Sequence, residues 1–504
     1  MENSFKLPKS ISSEILRLKE MPPAYWEKMG ERHAMQLFAF AAKTVPAYKT
    51  FLLKNGVRPA LIKHIKDYQK VPIMNKNIYL RKYSYPDLFP NRELTATHTF
   101  SATSGSTGEP FYFPRNSVGD KQYQYFSEVF LVDQFAINQK KTLVILSFGF
   151  GMWIAGISTF TYLNALAEKG YPLTVVPTGP NIHFFLGTIK KFAKEYDQVI
   201  LFGYPPLLKD ILDEGQHYGV SWKKYHIKIV TSGEGFSEEF RSYIAKKAGI
   251  KNPLLDIVGL YGSTELSGMA RETPLSILIR KIAQQHKKVF SELFPGVSSM
   301  PSLCQYHPQL IYFEEQEGNL LVTGNASVTP LLRYQFPDRG GVISYNTMRA
   351  KLRGVGFDMD ALIRKANIAR YVMKLPFVYV SERSDKALFF YGINIYPESI
   401  KIALFEKSIT HLVTGRFYME TIEDKTMRKI LNIHIELKAG LHKNEAIHRA
   451  VHATVITVLR TRHAEYNHLF LQFPKRALPH INLWNYHSKP YFEIGQKHRW
   501  IPKF

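Results

Sequence analysis

Four stretches of this 504-residue chain bring hydroxyl, glycine, carboxylate and aromatic residues close enough together to do chemistry. The first is SATSGSTGEPFYFPRN, residues 101–116, where Thr103, Ser104, Gly105, Ser106, Thr107 and Gly108 form an unbroken run of small residues. Glycine lets a backbone approach a phosphate closely, and hydroxyls and amide hydrogens donate to its oxygens. By itself such a run also reads as an ordinary loop. No lysine follows Gly108, so it is not the GxxxxGK[ST] phosphate loop, and it is not a GxSxG nucleophile elbow. The second stretch is LYGSTELSG, residues 260–268, directly after an apolar run. Tyr261 can pack on a purine, Thr264 can donate to a phosphate, and Glu265 can hold Mg2+ through oxygen. Ser263 or Thr264 can equally cap whatever follows. The third is TPLLRYQFPDRG, residues 329–340, in which Asp338 can accept hydrogen bonds from two ribose hydroxyls. The fourth is SERSDKALFFYGINIYPESI, residues 381–400. Read alone, each of the last two is also a surface charge cluster.

Loops of this kind need rigid elements behind them. From residue 142 to 260, short apolar runs alternate with helical patterns: TLVILS (142–147), LTVV (173–176), QVILFG (198–203), IKIVTSG (227–233) and LDIVGL (255–260). Between them, residues 183–197 and 237–249 read as helices. Ser237 caps the second, acids occupy its first turn and Gly249 follows its end. Alternating β and α implies a largely parallel sheet with helices on its faces, and ligands on such sheets sit at the carboxyl ends of strands. After residue 384 the texture changes. Residues 397–405 and 444–459 read as helices; HLVTGRFYME, RKILNIHIEL and HLFLQF (468–473) read as strands, the first two flanking a charged turn at 423–425. The expectation is an α/β chain with a large N-terminal domain, 1–384, and a smaller α+β domain, 385–504. Residues 266–320 fit neither pattern and read as connecting structure with a short sheet.

Composition narrows the classes. Hydrophobic residues make up 45% and charged residues 21%, as in globular proteins, and 504 residues exceed one ordinary core. A single cysteine, Cys304, rules out an intrachain disulfide and argues against a cysteine-rich zinc site. The opening MENSFKLPKS lacks a basic run followed by an apolar stretch, so a cytoplasmic location is expected. Residues 142–167 carry no charge, yet glycines and hydroxyls interrupt them, so they read as strand, loop and helix and no membrane span is expected. The net charge of +24 reads as an ordinary solvated basic surface, or else as an attraction for polyanions such as ATP, coenzyme A, nucleic acid or anionic lipid. The basic residues form no stripe, and the C-terminal part lacks the aromatic string of RNA-recognition sheets; no nucleic-acid partner is expected.

Together and in this order, the four stretches resemble the adenylate-forming superfamily, and within it the phenylacetate–CoA ligase family. AAKTVPAYKTFLLKNGV (41–57) and DYQKVPIMNKNIYLRKY (67–83) look like that family's opening, and GINIYPESI (392–400) like the start of its C-terminal domain. The resemblance implies an AMP-binding adenylation domain over 1–384 and a mobile C-terminal domain over 385–504. It implies that Thr103–Gly108 handle the β- and γ-phosphates. Ser232, Gly233 and Glu234 would border adenine, with Tyr261 and Gly262 beside it. Thr264 would bind the α-phosphate, Glu265 would ligate Mg2+, and Asp338, assisted by Arg383, would bind ribose. Asp385 falls at the hinge position. The family's C-terminal Gly-Lys-x-x-Arg lysine is matched by Lys497 in YFEIGQKHRWIPK (491–503), with Lys489 a second candidate. Trp153 and Tyr204 are candidates for the acid pocket, or equally for the core. Three positions depart from the family pattern: Glu109 replaces a lysine, Pro337 a glycine, and Gln496 shifts the lysine by one. The implied reaction joins a carboxylic acid to AMP at the expense of ATP and passes the acyl group to coenzyme A. Amine, hydroxyl and protein acceptors also occur among the relatives.

Overall fold

The computed structural model describes residues 5–102, 111–151, 154–297, 299–383 and 387–492. The chain forms two compact units. One gathers Met1–Thr103, Tyr112–Gly203 and Ile211–Ser384; the other holds Asp385–Phe504 together with Tyr204–Asp210.

In the larger unit a hairpin of β1 (Thr99–Ala102) and β2 (Tyr112–Arg115) precedes the main sheet. Its first five strands are β3 (Thr142–Leu146), β4 (Leu173–Pro177), β5 (Gln198–Gly203), β6 (Ile227–Ser232) and β7 (Ile257–Ser263). They pair in parallel in the order β4-β3-β5-β6-β7. β3 and β5 are buried at every position, as unbroken apolar strands covered on both faces must be. Between the strands the helices Ile154–Glu168, Ile182–Phe192 and Glu238–Ala248 make the crossovers. Ser237 caps the last of these by accepting from the Phe240 N–H, and Gly249 ends it in the left-handed region at φ +71°.

Past β7 the sheet reverses. β8 (Ser267–Arg271) runs antiparallel to β7, followed by β9 (Ser302–Tyr306), β10 (Ile311–Gln316), β11 (Asn319–Gly324), β12 (Leu331–Ile343) and β13 (Phe377–Arg383). Among the described residues the sheet has eleven strands, ordered β10-β11-β12-β13-β9-β8-β7-β6-β5-β3-β4. Residues 266–320 are therefore not connecting structure. They hold strands of this sheet and the helices Pro274–Gln285 and Lys287–Leu293. Those helices pack with Ile343, Met348 and Phe377 in one apolar cluster.

The smaller unit contains a hairpin, β14 (Leu388–Phe390) with β15 (Ile393–Ile395), and a sheet ordered β16 (Val413–Glu423), β17 (Lys429–Leu437), β18 (His480–Trp484). Helices Pro397–Leu404, Glu445–Arg462 and Ala464–Gln472 share a core with Leu431, Ile433, Ile435 and Leu437, the alternate residues of β17. HLFLQF, read as a strand, lies mostly in the third helix; its start is fixed by His463 Nδ1, which accepts from the Tyr466 N–H at 3.1 Å. The third strand is HINLW instead. The α/β fold with a smaller α+β unit is as expected from the sequence. Among the described residues no helix is long and apolar enough to cross a membrane.

Candidate active site

The sheet changes from parallel to antiparallel between β7 and β8, and the joining turn carries Thr264 and Glu265. Gly262 faces Gly268 across this turn and Ser263 faces Ser267. A Cβ on Gly262 would lie 2.4 Å from the Ser267 carbonyl oxygen, so only glycine lets the strands close here. Ser263 Oγ accepts from the Leu266 N–H at 3.2 Å, which makes Ser263 the capping hydroxyl. From β2, Arg115 clamps the turn. Its guanidinium donates to the Thr264 carbonyl, to Ser267 Oγ at 2.9 Å and to the Ala326 carbonyl at 3.0 Å. Burial pulls Arg115 down to about 10, opposed by the carboxylates of Glu265 and Asp120, so it stays charged near neutrality.

Glu265 is buried to 8% exposure yet has cations around it. Lys76 Nζ lies 3.7 Å from its Oε1, and the Tyr334 hydroxyl hydrogen-bonds it. Burial, then the Glu265 charge, pushes that phenol well above its ordinary range, so it remains a donor. Lys76 is held here by the N-terminal segment. Met74 bridges Tyr334 in parallel: the Met74 N–H donates to the Arg333 carbonyl at 3.2 Å, and the Gln335 N–H to the Met74 carbonyl at 2.8 Å. Asn75 then caps the next turn through the Asn77 and Ile78 N–H groups.

Asp338 lies on β12, opposite Arg383 on β13. Tyr261, from the end of β7, donates its hydroxyl to Asp338 Oδ2 at 2.7 Å. Its ring stacks at 27° on Phe313, centroids 6.4 Å apart. One bond thus ties the purine candidate to the ribose candidate. Ser232 ends β6 beside Leu260 of β7. After it, Gly233 adopts φ +96°, and a Cβ on Gly235 would lie 2.5 Å from Ser302 Oγ. Beneath this loop are four buried charges. Arg241 bonds Glu272 at 2.6 Å and Glu238 at 3.0 Å, while Arg280 bonds Glu238 at 2.8 Å and the Phe236 carbonyl at 2.5 Å.

Ser232–Glu234, Tyr261–Glu265 and Asp338 therefore lie in one unit. Neighbouring strands and a hydrogen bond link them. Thr103–Gly108, Trp153, Asp385 and Lys497 lie outside the described residues, as do Glu109 and Gln496. Of Arg383 only the backbone is described. Tyr204 belongs to the smaller unit, where a Cβ on Gly392 would stand 2.9 Å from its ring. Lys489 is exposed in the same unit. Among the described residues there is no cluster of three or more potential metal-ligating side chains. Lys76, Arg115 and Tyr334 were not singled out from the sequence. All three fall inside quoted stretches, but nothing in their spacing links them to Glu265.

No protein-family model matches the chain. Its sequence is similar to phenylacetate-coenzyme A ligase of Thermus thermophilus, 23% identical over 258 residues. The match covers 50% of this chain and 53% of the relative, so it spans about half the length of that protein. Among solved structures, 2-hydroxyisobutyryl-CoA ligase with 2-HIB-AMP and CoA in the thioesterification state superimposes at TM-score 0.63 and 15% identity, covering 100% of this chain and 94% of that one. An open conformation of the same ligase gives 0.52 at 14% identity, covering 100% and 97%.

Proposed function

We propose that this chain, which has the fold of AMP-forming CoA ligases and resembles phenylacetate–CoA ligase in sequence, activates a carboxylic acid with ATP and transfers the acyl group to coenzyme A. The observation that carries this reading is the Tyr261–Asp338 bond together with the Lys76–Glu265 pair: the purine and phosphate candidates stand at the end of β7, and the ribose candidate lies on β12 of the same sheet. The CoA ligases among the relatives supply the acceptor.

A carboxylate is a poor acyl donor because its leaving group is oxide. Attack of its oxygen on the α-phosphorus of ATP forms an acyl–phosphate bond, and the bond to pyrophosphate breaks. The acyl carbon then carries AMP as leaving group. In the second step the thiol of coenzyme A attacks that carbon, loses its proton and displaces AMP. Tyr261 orients Asp338 toward ribose and lies against adenine, bordered by Ser232, Gly233 and Glu234, with Gly262 keeping the turn narrow. The Thr264 hydroxyl donates to the α-phosphate, its carbonyl fixed by Arg115. Thr103–Gly108 take the β- and γ-phosphates, Arg383 assists Asp338, and Asp385 is the hinge between domains 1–384 and 385–504. Lys497, or Lys489, counters the charge that grows on the α-phosphate.

Mg2+ fits Glu265, since one buried carboxylate plus phosphate oxygens and water is how this ion is usually held. Bound there, it would neutralise phosphate charge. Lys76, already beside Glu265, adds a second positive charge at that edge.

The test is pyrophosphate release over a panel of aromatic and fatty acids, with and without coenzyme A. Release that depends on one acid class, with thioester formed when coenzyme A is present, is expected. Release followed by transfer only to added amines would overturn the acceptor. No release with any acid would overturn the activity.

A further inference from the structure

In the larger unit, four adjacent parallel strands are each preceded by lysines. Lys140 and Lys141 lead into β3, and Lys190, Lys191 and Lys194 into β5. Lys223 and Lys224 lead into β6, and Lys246, Lys247 and Lys251 into β7. All ten are exposed. The segments that carry them, 140–141, 190–197, 223–226 and 246–252, hold no arginine and only two carboxylates, Glu195 and Asp197. Along the chain the groups are more than twenty residues apart and make no stripe. Parallel pairing lines them up. β3, β5, β6 and β7 are neighbours in that order and run the same way, so their starts share one edge. At the usual strand spacing that edge is about 15 Å wide.

Bonds along the edge hold the groups side by side. The Lys141 N–H donates to Asp197 Oδ2 at 2.8 Å, and the Asp197 N–H to the Lys141 carbonyl at 2.9 Å. The Val199 N–H donates to the His226 carbonyl at 3.1 Å. A Cβ on Gly249 would lie 2.9 Å from Lys223 Cγ, so the pairs at 223 and 246 abut. Lys194 meets Glu195 at 3.7 Å and Lys247 meets Asp213 at 2.8 Å; among the described residues these are the two of the ten in an ion pair. A helix dipole favours cations in a last turn, which accounts for 190–191 and 246–247. It does not account for 140–141, 223–224 or 251, which lie outside the α-helices. Like charges gathered on one edge repel one another, and a bound polyanion relieves that repulsion.

An aromatic ring stands among these lysines. Phe192 is 41% exposed, with Lys191 Nζ 5.3 Å from its ring centre, and Lys141 Nζ lies 5.3 Å from the ring of half-buried Tyr196. Lysine supplies point charges, whereas the planar fork of arginine is what grips a single phosphodiester. Lysines around an exposed aromatic ring suit a surface of anionic headgroups, which offers diffuse charge and an apolar layer beneath it. We propose that the strand-start edge of the larger unit docks this chain on an anionic lipid bilayer, with the lysines over the headgroups and Phe192 seated among them. The proposal goes beyond the reaction and stands without it. Ser232 and Tyr261–Glu265 lie at the other ends of the same strands, so the docked edge and the candidate site do not compete.

The experiment is co-sedimentation of the full chain with phosphatidylcholine vesicles, with or without about 30% phosphatidylglycerol, at about 0.15 M salt. The parent should bind the anionic vesicles at least about tenfold more strongly than the neutral ones. A lysine at such a surface is worth about fivefold, so Lys140→Gln/Lys141→Gln/Lys223→Gln/Lys224→Gln should lose about 100-fold in partitioning. Lys63→Gln/Lys66→Gln/Lys287→Gln/Lys288→Gln removes the same charge from exposed lysines elsewhere in the larger unit and should lose under about threefold. Phe192→Ser should lose about fivefold to tenfold on anionic vesicles. Thermal unfolding midpoints check each fold. If the first quadruple variant melts early, its two doublets are read separately, at about 10- to 30-fold each. Equal losses in the two quadruple variants, or full binding by the first, would overturn the proposal. No loss in Phe192→Ser would overturn it as well, because a purely electrostatic contact does not need the ring. Tighter binding to an oligonucleotide duplex than to vesicles, abolished by the first quadruple variant, would overturn it in favour of nucleic acid.

Discussion

Glu272→Gln removes one negative charge from the buried cluster beneath the 232–238 loop. Glu272 Oε1 accepts from Arg241 Nη2 at 2.6 Å and lies 3.6 Å from Arg280 Nη1, and its Oε2 accepts from the Gly259 N–H at 2.8 Å. Glu238 balances the second guanidinium, and all four side chains are at most 5% exposed. Burial alone would lower the pKa of Arg241; the two carboxylates more than offset this and hold it above its usual value. In the variant two guanidiniums share one carboxylate. Breaking such a pair from one side costs about 3–5 kcal/mol, because a desolvated charge is left unmatched. Arg280 also holds the Phe236 and Pro301 carbonyls, so the loop after Ser232 loosens as well and KM for ATP rises. Urea unfolding followed by near-ultraviolet circular dichroism reads the first effect. A cycle with Arg241→Met reads the coupling, expected above about 1.5 kcal/mol for residues in one network. A single-variant cost below about 0.5 kcal/mol, the range of ordinary surface changes, or additive effects in the cycle, would refute the reasoning.

Glu265→Gln should lower ATP–pyrophosphate exchange by about 10²–10³-fold, the usual loss when one group stabilising transition-state charge is removed. Unchanged exchange across a magnesium titration would reassign the metal ligand. Lys76→Ala should cost under about 1 kcal/mol in urea, since the pair is 3.7 Å apart and partly wet, yet raise KM for ATP. The reverse result would make Lys76 a structural residue. Burial lowers His307 to about 3 and His33 to about 4. Both folded values lie below the unfolded one near 6.5, so stability is complete above that pH and falls as pH drops toward 4. At pH 5 each histidine contributes a loss of about 2 kcal/mol. Urea midpoints at pH 7 and pH 5 should separate more in the parent than in His33→Asn/His307→Asn, and equal separations would count against it.

The parallel half of the sheet was readable because β3 and β5 are unbroken apolar runs and their crossovers carry caps such as Ser237 and Gly249. The antiparallel half was not. β9 pairs with β13 across more than seventy residues of chain, and buried polar residues such as Gln305, His307 and Glu314 interrupt the alternation a strand needs. HLFLQF shows the other failure: six residues, mostly apolar, fit strand and helix alike, and a capping histidine outside the run decides. At the site, residue type announced Tyr261, Glu265 and Asp338. It did not announce Lys76 or Tyr334, because long-range contacts such as the Met74–Tyr334 bridge bring the N-terminal segment alongside β12. The resemblance supplied the order of the stretches; the hydrogen bonds between them are properties of the fold.

Those hydrogen bonds show how the site divides its work. The charges below it are paired with one another: Arg241 and Arg280 with Glu238 and Glu272, and Arg115 with carbonyl oxygens around the turn. Such groups are already desolvated and fixed before a ligand arrives, so orienting them costs no reorganisation during the reaction. The residues proposed to meet a nucleotide are linked to one another as well. Lys76 stands 3.7 Å from Glu265, and Tyr261 donates to Asp338 Oδ2 at 2.7 Å. The reversal of the sheet at β7 contributes to this order, because it turns one strand end into a tight hairpin whose Thr264 carbonyl and Ser267 hydroxyl are both held by Arg115.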